Sequence, residues 1–314
     1  MSKNLEKIGT NAKIAFQNKI SNKKKNKVLN YYIQLIKKNQ NKILVENTKD
    51  IKIAKSKKLK ENLIKRLALN NDKISSIIKS IETIAKFKDP VDVDIETWKR
   101  PNGLKLKKVS IPIGIIGVIY ESRPNVTSDV STLCFKSGNC VILRGGSEAY
   151  FSNKILANLF RKSLEKYKIN KNFVQFIENK NRKLVDYMLS KMSEYIDVII
   201  PRGGKSLVKK VQDLSSVPVI GHLEGMCHTY IDKDANLSMA KKILINAKLR
   251  NTSICGATET LLIHKNKSKN VDEILNELTK RGCSIYADRK ISKLFNGNSR
   301  LANNKIWSKE HLSA

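Results

Sequence analysis

Cys255 stands in a small, polar loop, residues 249–260 (LRNTSICGATET), between two apolar runs. A thiolate there can attack a carbonyl carbon and hold the acyl group on the protein. The other cysteines, Cys134, Cys140, Cys227 and Cys283, lie inside or beside apolar runs and are expected to be packed thiols. Five cysteines without close pairs point to reduced thiols in a cytoplasmic protein, and no CxxC or HxxxH spacing offers a zinc site.

Three more segments carry anion chemistry: residues 121–127 (ESRPNVT), 144–148 (RGGSE) and 201–205 (PRGGK). Each follows an apolar, strand-like run. Paired glycines let a backbone approach a phosphate, the helix that follows supplies N–H donors, and an arginine adds a bidentate partner. Any one Gly-Gly pair reads as readily as a tight turn. Three such loops at successive strand ends favour an anion-binding crevice. None is GxGxxG or GxxxxGK[ST], so neither common nucleotide fingerprint is present.

The elements that must position these loops follow from periodicity. Residues 5–88 are helical, with Leu29, Ile33, Ile36 and later Ile74, Ile77, Ile81 and Ile84 at helical spacing. Asn71-Asp72 is the expected N-cap of the last of these helices, and Lys23 to Lys25 the expected solvated face or connection. Residues 97–109 read as a β-hairpin around Pro101-Asn102-Gly103, a polar arm that projects and pairs elsewhere. Strands and helices then alternate: strands at 113–120, 140–143, 174–177, 198–200 and 218–220, with helices at 126–137, 151–167, 184–192 and 206–212. That alternation is the pattern of a doubly wound parallel sheet. A second α/β unit follows, with strands at 228–231 and 260–264 and helices at 237–247 and 271–281. The expected division is 1–227, N-terminal helices plus a cofactor domain, and 228–314, a catalytic domain.

The chain carries 61 basic against 28 acidic residues, a formal charge of +33. Such a field binds polyanions non-specifically. The lysines are spread along the whole chain among Asn and Ile, without the aromatic interleaving of a single-strand platform. Solvated helix faces account for them better than a specific nucleic-acid partner, and an anionic substrate or cofactor would still benefit. No apolar stretch approaches membrane-spanning length, and residues 1–10 lack a signal-peptide core.

Residues 113–127 (IGIIGVIYESRPNVT), 136–139 (KSGN), 141–149 (VILRGGSEA), 218–228 (PVIGHLEGMCH) and the Cys255 loop through Leu262 resemble the γ-glutamyl phosphate reductases of proline biosynthesis. That family belongs to the aldehyde dehydrogenase superfamily. The resemblance covers essentially the whole chain and implies an aldehyde-dehydrogenase-like α/β fold. It also implies NADPH-dependent reduction of L-glutamate 5-phosphate to L-glutamate 5-semialdehyde and phosphate. A thiolate displaces phosphate to leave a thioester, and hydride transfer gives a thiohemiacetal that collapses to the aldehyde.

By the resemblance Cys255 is the nucleophile and Asn125 a side-chain donor to the oxyanion, where the residues alone would make Asn125 a helix cap. Arg144, Gly145, Gly146, Ser147 and Glu148 align with the loop at the cofactor's adenosine ribose, a positive residue there suiting NADPH. Arg202, Gly203 and Gly204 align with the turn at its pyrophosphate. Ser122, Arg123 and Glu224 are weaker candidates for the substrate, with surface salt bridging the competing role of Arg123 and Arg202. Glu224 aligns with a general base that a reductase does not need, and His222 and His228 flank it. The resemblance further implies a homo-oligomer and a supply of substrate from glutamate 5-kinase. Two departures stand out: Gly256 follows the cysteine where the family often has Asn, and the family continues beyond Ala314 with more of the catalytic domain. A related aldehyde or acyl-CoA reductase, or a truncated and catalytically silent binding protein, are the alternative readings.

Overall fold

The computed structural model describes residues 2–221, 225–252 and 254–314. The chain divides into two compact units, Met1–Gly221 and His222–Ala314. Among the described residues no helix is long and apolar enough to cross a membrane.

The first unit opens with five helices: α1 (Ser2–Phe16), α2 (Asn22–Lys38), α3 (Gln40–Ser56), α4 (Glu61–Leu67) and α5 (Asn71–Lys86). The isoleucines expected at helical spacing on α5, Ile74, Ile77, Ile81 and Ile84, are all buried. Its N-cap is Asn70, one residue before the expected pair, and the Asn70 side chain accepts from Lys73 N–H at 2.8 Å. Lys25 departs further from expectation. It is 2% exposed and donates to both oxygens of Asp89 at 3.0 and 2.9 Å, whereas Lys23 and Lys24 are exposed as expected. A run of like residues conceals that one turn of the helix points its third lysine inward.

An antiparallel hairpin follows, β1 (Asp94–Lys99) and β2 (Lys105–Val109), with Trp98 opposite Leu106. Every residue of β1 is exposed. Then come β3 (Ile115–Tyr120), α6 (Pro124–Lys136), β4 (Cys140–Gly145), α7 (Tyr150–Lys166), β5 (Val174–Phe176), α8 (Lys183–Lys191), β6 (Val198–Arg202) and α9 (Lys205–Leu214). The four strands form a parallel sheet in the order β5-β4-β3-β6. Strands β3 and β4 are buried at every position, which explains their near-continuous apolar sequences: helices cover both faces of a parallel sheet. Between them α6 ends on Gly138 (φ +76°), a left-handed position that glycine occupies without steric cost. The strand expected at 218–220 is reduced to a single parallel bridge between Val219 and Ile199.

The helical layer is keyed to this sheet through α7. Ala149, at its N-cap, has no side chain to offer, and Asp50 of α3 takes over by accepting from Phe151 N, Ser152 N and Ser152 Oγ at 3.1, 2.8 and 2.7 Å. Burial raises the pKa of the Asp50 carboxyl, against the lowering effect of these bonds.

The second unit contains β7 (His228–Ile231), α10 (Leu237–Leu249), β8 (Thr260–Ile263), α11 (Val271–Thr279), β9 (Ile285–Ala287), α12 (Arg289–Leu294), β10 (Ser299–Leu301) and α13 (Asn304–Trp307). Its strands pair as two parallel ribbons, β7 with β8 and β9 with β10. Its core is Ile231, Leu244, Val271, Ile274, Leu275, Leu278, Cys283 and Phe295.

Candidate active site

Three of the strands end together. Tyr120, the last residue of β3, is paired with Gly145 on one side and Arg202 on the other. The sequence order reverses across β3, so this edge is a topological switch point, the place where open α/β sheets take ligands. The loops at 121–127, 144–148 and 201–205 therefore share one rim of the first unit.

On that rim α9 begins after Gly204, which has no side chain to cap it. Glu121 of β3's exit reaches across, its Oε2 accepting from Gly204 N–H at 2.9 Å. A Cβ added at Gly203 would lie 2.6 Å from that Oε2 and 2.7 Å from Leu207 Cδ2, so a side chain there would displace the carboxylate or the leucine. Arg202, Gly203 and Gly204 are all exposed.

Ser122 and Glu148 are also brought together. Ser122 sits at φ +42°, a left-handed position costing a side-chain-bearing residue about 1–2 kcal/mol. Its N–H and Oγ both donate to Glu148 Oε1, at 2.7 and 2.8 Å, and hold the kink. The Glu148 carboxylate folds over Gly146, where a Cβ would collide with it. Arg144 is buried rather than presented to the rim. Its guanidinium donates to Gly145 O and, at 3.1 Å, to Lys180 O, while Nε has no hydrogen-bond partner among the described residues. Burial lowers its pKa, with the Glu148 charge opposing.

Arg123 occupies the N-cap position of α6, with Pro124 in the first turn. Asn125 lies inside the helix and provides no cap. Its Nδ2 donates to Asp129 Oδ2 at 3.0 Å, one turn on, and Ser80 Oγ donates to the other oxygen of Asp129 at 3.0 Å. Burial raises the pKa of the Asp129 carboxyl. An amide nitrogen has two hydrogens, so this bond orients Asn125 and leaves one donor over.

In the second unit Cys255 is exposed, while Cys134, Cys140 and Cys283 are buried, with Cys134 pushed up to about 12 by desolvation. Cys227 was expected to be packed but is half-buried, its thiol donating to Cys255 O at 3.1 Å. The Cys255 loop is fixed by its backbone: Ala257 N bonds Ile254 O, Thr258 N bonds Ala247 O, and Glu259 N and Thr260 N both bond Cys227 O. Around Gly256 an added Cβ would meet nothing within 4 Å, so the glycine is not sterically required. His228 is exposed and its Nδ1 lies 2.5 Å from Met226 O. Glu224 and His222 fall outside the described residues. A separate cavity of about 610 Å³ in this unit is lined by Lys248, Glu259, Cys283, Tyr286, Trp307 and His311 among others, and not by Cys255.

From the sequence Glu121 and Asp129 have no assigned role, and Cys227 is expected only to be packed. Asp129 carried a signal, since it follows Asn125 by four residues on one helix face. Cys227 did not, because its partner is a backbone carbonyl distant in sequence.

Residues 2–290 match the aldehyde dehydrogenase family. The γ-glutamyl phosphate reductase of Bartonella tribocorum is 42% identical over 294 residues, which make up 94% of this chain and 72% of that protein. Among solved structures, the γ-glutamyl phosphate reductase of Thermotoga maritima matches 98% of this chain and 75% of its own, with a TM-score of 0.91 and 36% identity. The Saccharomyces cerevisiae γ-glutamyl phosphate reductase matches 91% of this chain and 72% of its own, with a TM-score of 0.65 and 33% identity. With its parallel sheet and these relatives in agreement, the chain belongs to the γ-glutamyl phosphate reductase family, within the aldehyde dehydrogenase family.

Proposed function

We propose that this chain reduces L-glutamate 5-phosphate to L-glutamate 5-semialdehyde and phosphate in proline biosynthesis, with NADPH as reductant and Cys255 as nucleophile. The observation that carries the proposal is Cys255 itself: an exposed thiol on a backbone-fixed loop, in a chain whose relatives are named for this substrate. The Cys255 thiolate attacks the acyl carbon, phosphate leaves with the electron pair of the C–O bond, and the glutamyl group stays on sulfur as a thioester. The oxyanion formed in the attack needs donors placed in advance, and Asn125, oriented by Asp129, is the side-chain donor we assign. After reduction, the S–C bond breaks, the aldehyde leaves and the thiol is restored.

Members of the aldehyde dehydrogenase family use NAD(P). The rim of the first unit fits such a group. The exposed Gly203-Gly204 turn lets a backbone approach a diphosphate, the ten-residue helix α9 directs its N-terminus there, and Arg202 is exposed beside it. Bound there, NADPH supplies a hydride. Gly203 and Gly204 would hold the diphosphate, and Gly145 to Glu148 the ribose side. Arg144, held on carbonyls, would fix that turn from beneath. The hairpin β1–β2, with Ile95 and Trp98 exposed, is the surface we assign to self-association. The substrate is an activated acyl phosphate, so a glutamate 5-kinase is its expected source, in the cytoplasm.

The test is NADPH oxidation dependent on glutamate 5-phosphate, or NADP reduction with semialdehyde and phosphate. The Cys255→Ser variant should be inactive, and full turnover by it would falsify the nucleophile assignment. Equal efficiency with NADH would overturn the cofactor preference.

A further inference from the structure

Glu121 is a carboxylate on a rim whose other features suit anions, and the reaction proposed above gives it no task. Its backbone N–H donates to Arg202 O at 3.1 Å, which extends the β3–β6 pairing by one residue and fixes where the side chain starts. The side chain then lies over the Gly203-Gly204 turn, with Oε2 on Gly204 N–H at 2.9 Å and within 2.6 Å of where a Gly203 Cβ would stand. The first turn of α9 concentrates partial positive charge and unsatisfied N–H groups, and a carboxylate answers both. Neighbouring groups do not relieve Glu121 of that position: Glu148 Oε1 is committed to Ser122.

We propose that Glu121 is a built-in counter-anion at the α9 N-terminus, a carboxylate that competes with the cofactor diphosphate for Gly204 N–H. The inference rests on the cofactor reading of this rim. Two anions cannot share Gly204 N–H, so each binding event includes breaking the Glu121 bond and moving its charge beside a diphosphate. Glu121 therefore weakens cofactor binding and speeds cofactor release, and it keeps the glycine turn ordered between turnovers.

The experiment measures NADPH dissociation constants and release rates for the intact chain and for Glu121→Gln, which keeps the size and an acceptor but removes the charge. Inorganic pyrophosphate serves as a competing probe of the diphosphate position alone. Binding of NADPH and of pyrophosphate should tighten about fivefold, with slower release of NADPH, as expected for removing one charge of helix-terminus strength. If Glu121→Gln does not fold, Glu121→Ala removes both the charge and the bond to Gly204, and tightening in it is the same expected result. Unchanged or weaker binding in a folded variant, while the unsubstituted protein binds NADPH, overturns the counter-anion role and leaves the cofactor reading standing. Absence of NADPH binding in the unsubstituted protein and the variants alike overturns both.

Discussion

The sheet of the first unit and the ribbons of the second are both parallel, yet they are built to different standards. Strands β3 and β4 are buried at every position, and helices of the same unit are locked to one another by buried polar keys such as Asp50 of α3 on Ser152 of α7. Strands β7 and β8 have one buried residue between them, Ile231, and Tyr230 and Leu262 stand 55% and 46% exposed. Parallel pairing is stable where both faces are covered, and a two-stranded ribbon offers little cooperativity of its own. The rim at the strand ends thus sits on a fully covered platform, and the Cys255 loop is held by a thinner one, chiefly by the carbonyl of Cys227.

The largest effect expected of a single change is Cys255→Ser, which should reduce turnover by about 10³-fold or more. NADPH binding, which we assign to the first unit, should persist in this variant. Loss of both together would break the division of labour between the units. Next in size is local stability. Amide hydrogen exchange should show the slowest amides in β3 and β4 and markedly faster exchange in β7 and β8. Equal protection would show that burial underrates the second unit. Asp50→Ala leaves the α7 N-terminus without its cap and should cost about 1–3 kcal/mol in unfolding experiments.

Asp129 offers a finer test. Burial raises its folded pKa above the ordinary 3.8, so its contribution to stability is present in full below that value and lost as pH rises through the raised one. Asp129→Asn should therefore gain stability relative to the unsubstituted protein on going from acid to neutral pH. A flat difference would remove burial as the cause. The smallest effect is expected at Gly256: replacement by Asn, into open space, should change stability by less than about 0.5 kcal/mol.

Much of this contrast was legible beforehand. The near-continuous apolar runs at 113–120 and 140–143 read as covered parallel strands, and the loops at their ends as an anion-binding crevice, because apolar pattern and turn residues are local properties. Lys25, Arg144 and Glu148 were not legible in detail. Each is a charged side chain whose partner, Asp89, a carbonyl of Lys180 or the N–H of Ser122, comes from another segment. The strand at 218–220 was overread because an apolar triplet does not reveal how many partners it will find. Cys255 was singled out by its polar, glycine-bearing surroundings, and its exposure agrees with that. Cys227 beside it was hidden by an apolar neighbourhood that covers only part of its side chain.

The most direct measurement is to trap the acyl group. Incubating the chain with glutamate semialdehyde and NADP, with phosphate withheld, should leave a glutamyl thioester that mass spectrometry of peptides places on Cys255. Added phosphate should release it. A glutamyl group on Cys227, or on no cysteine while NADP is still reduced, would contradict the account.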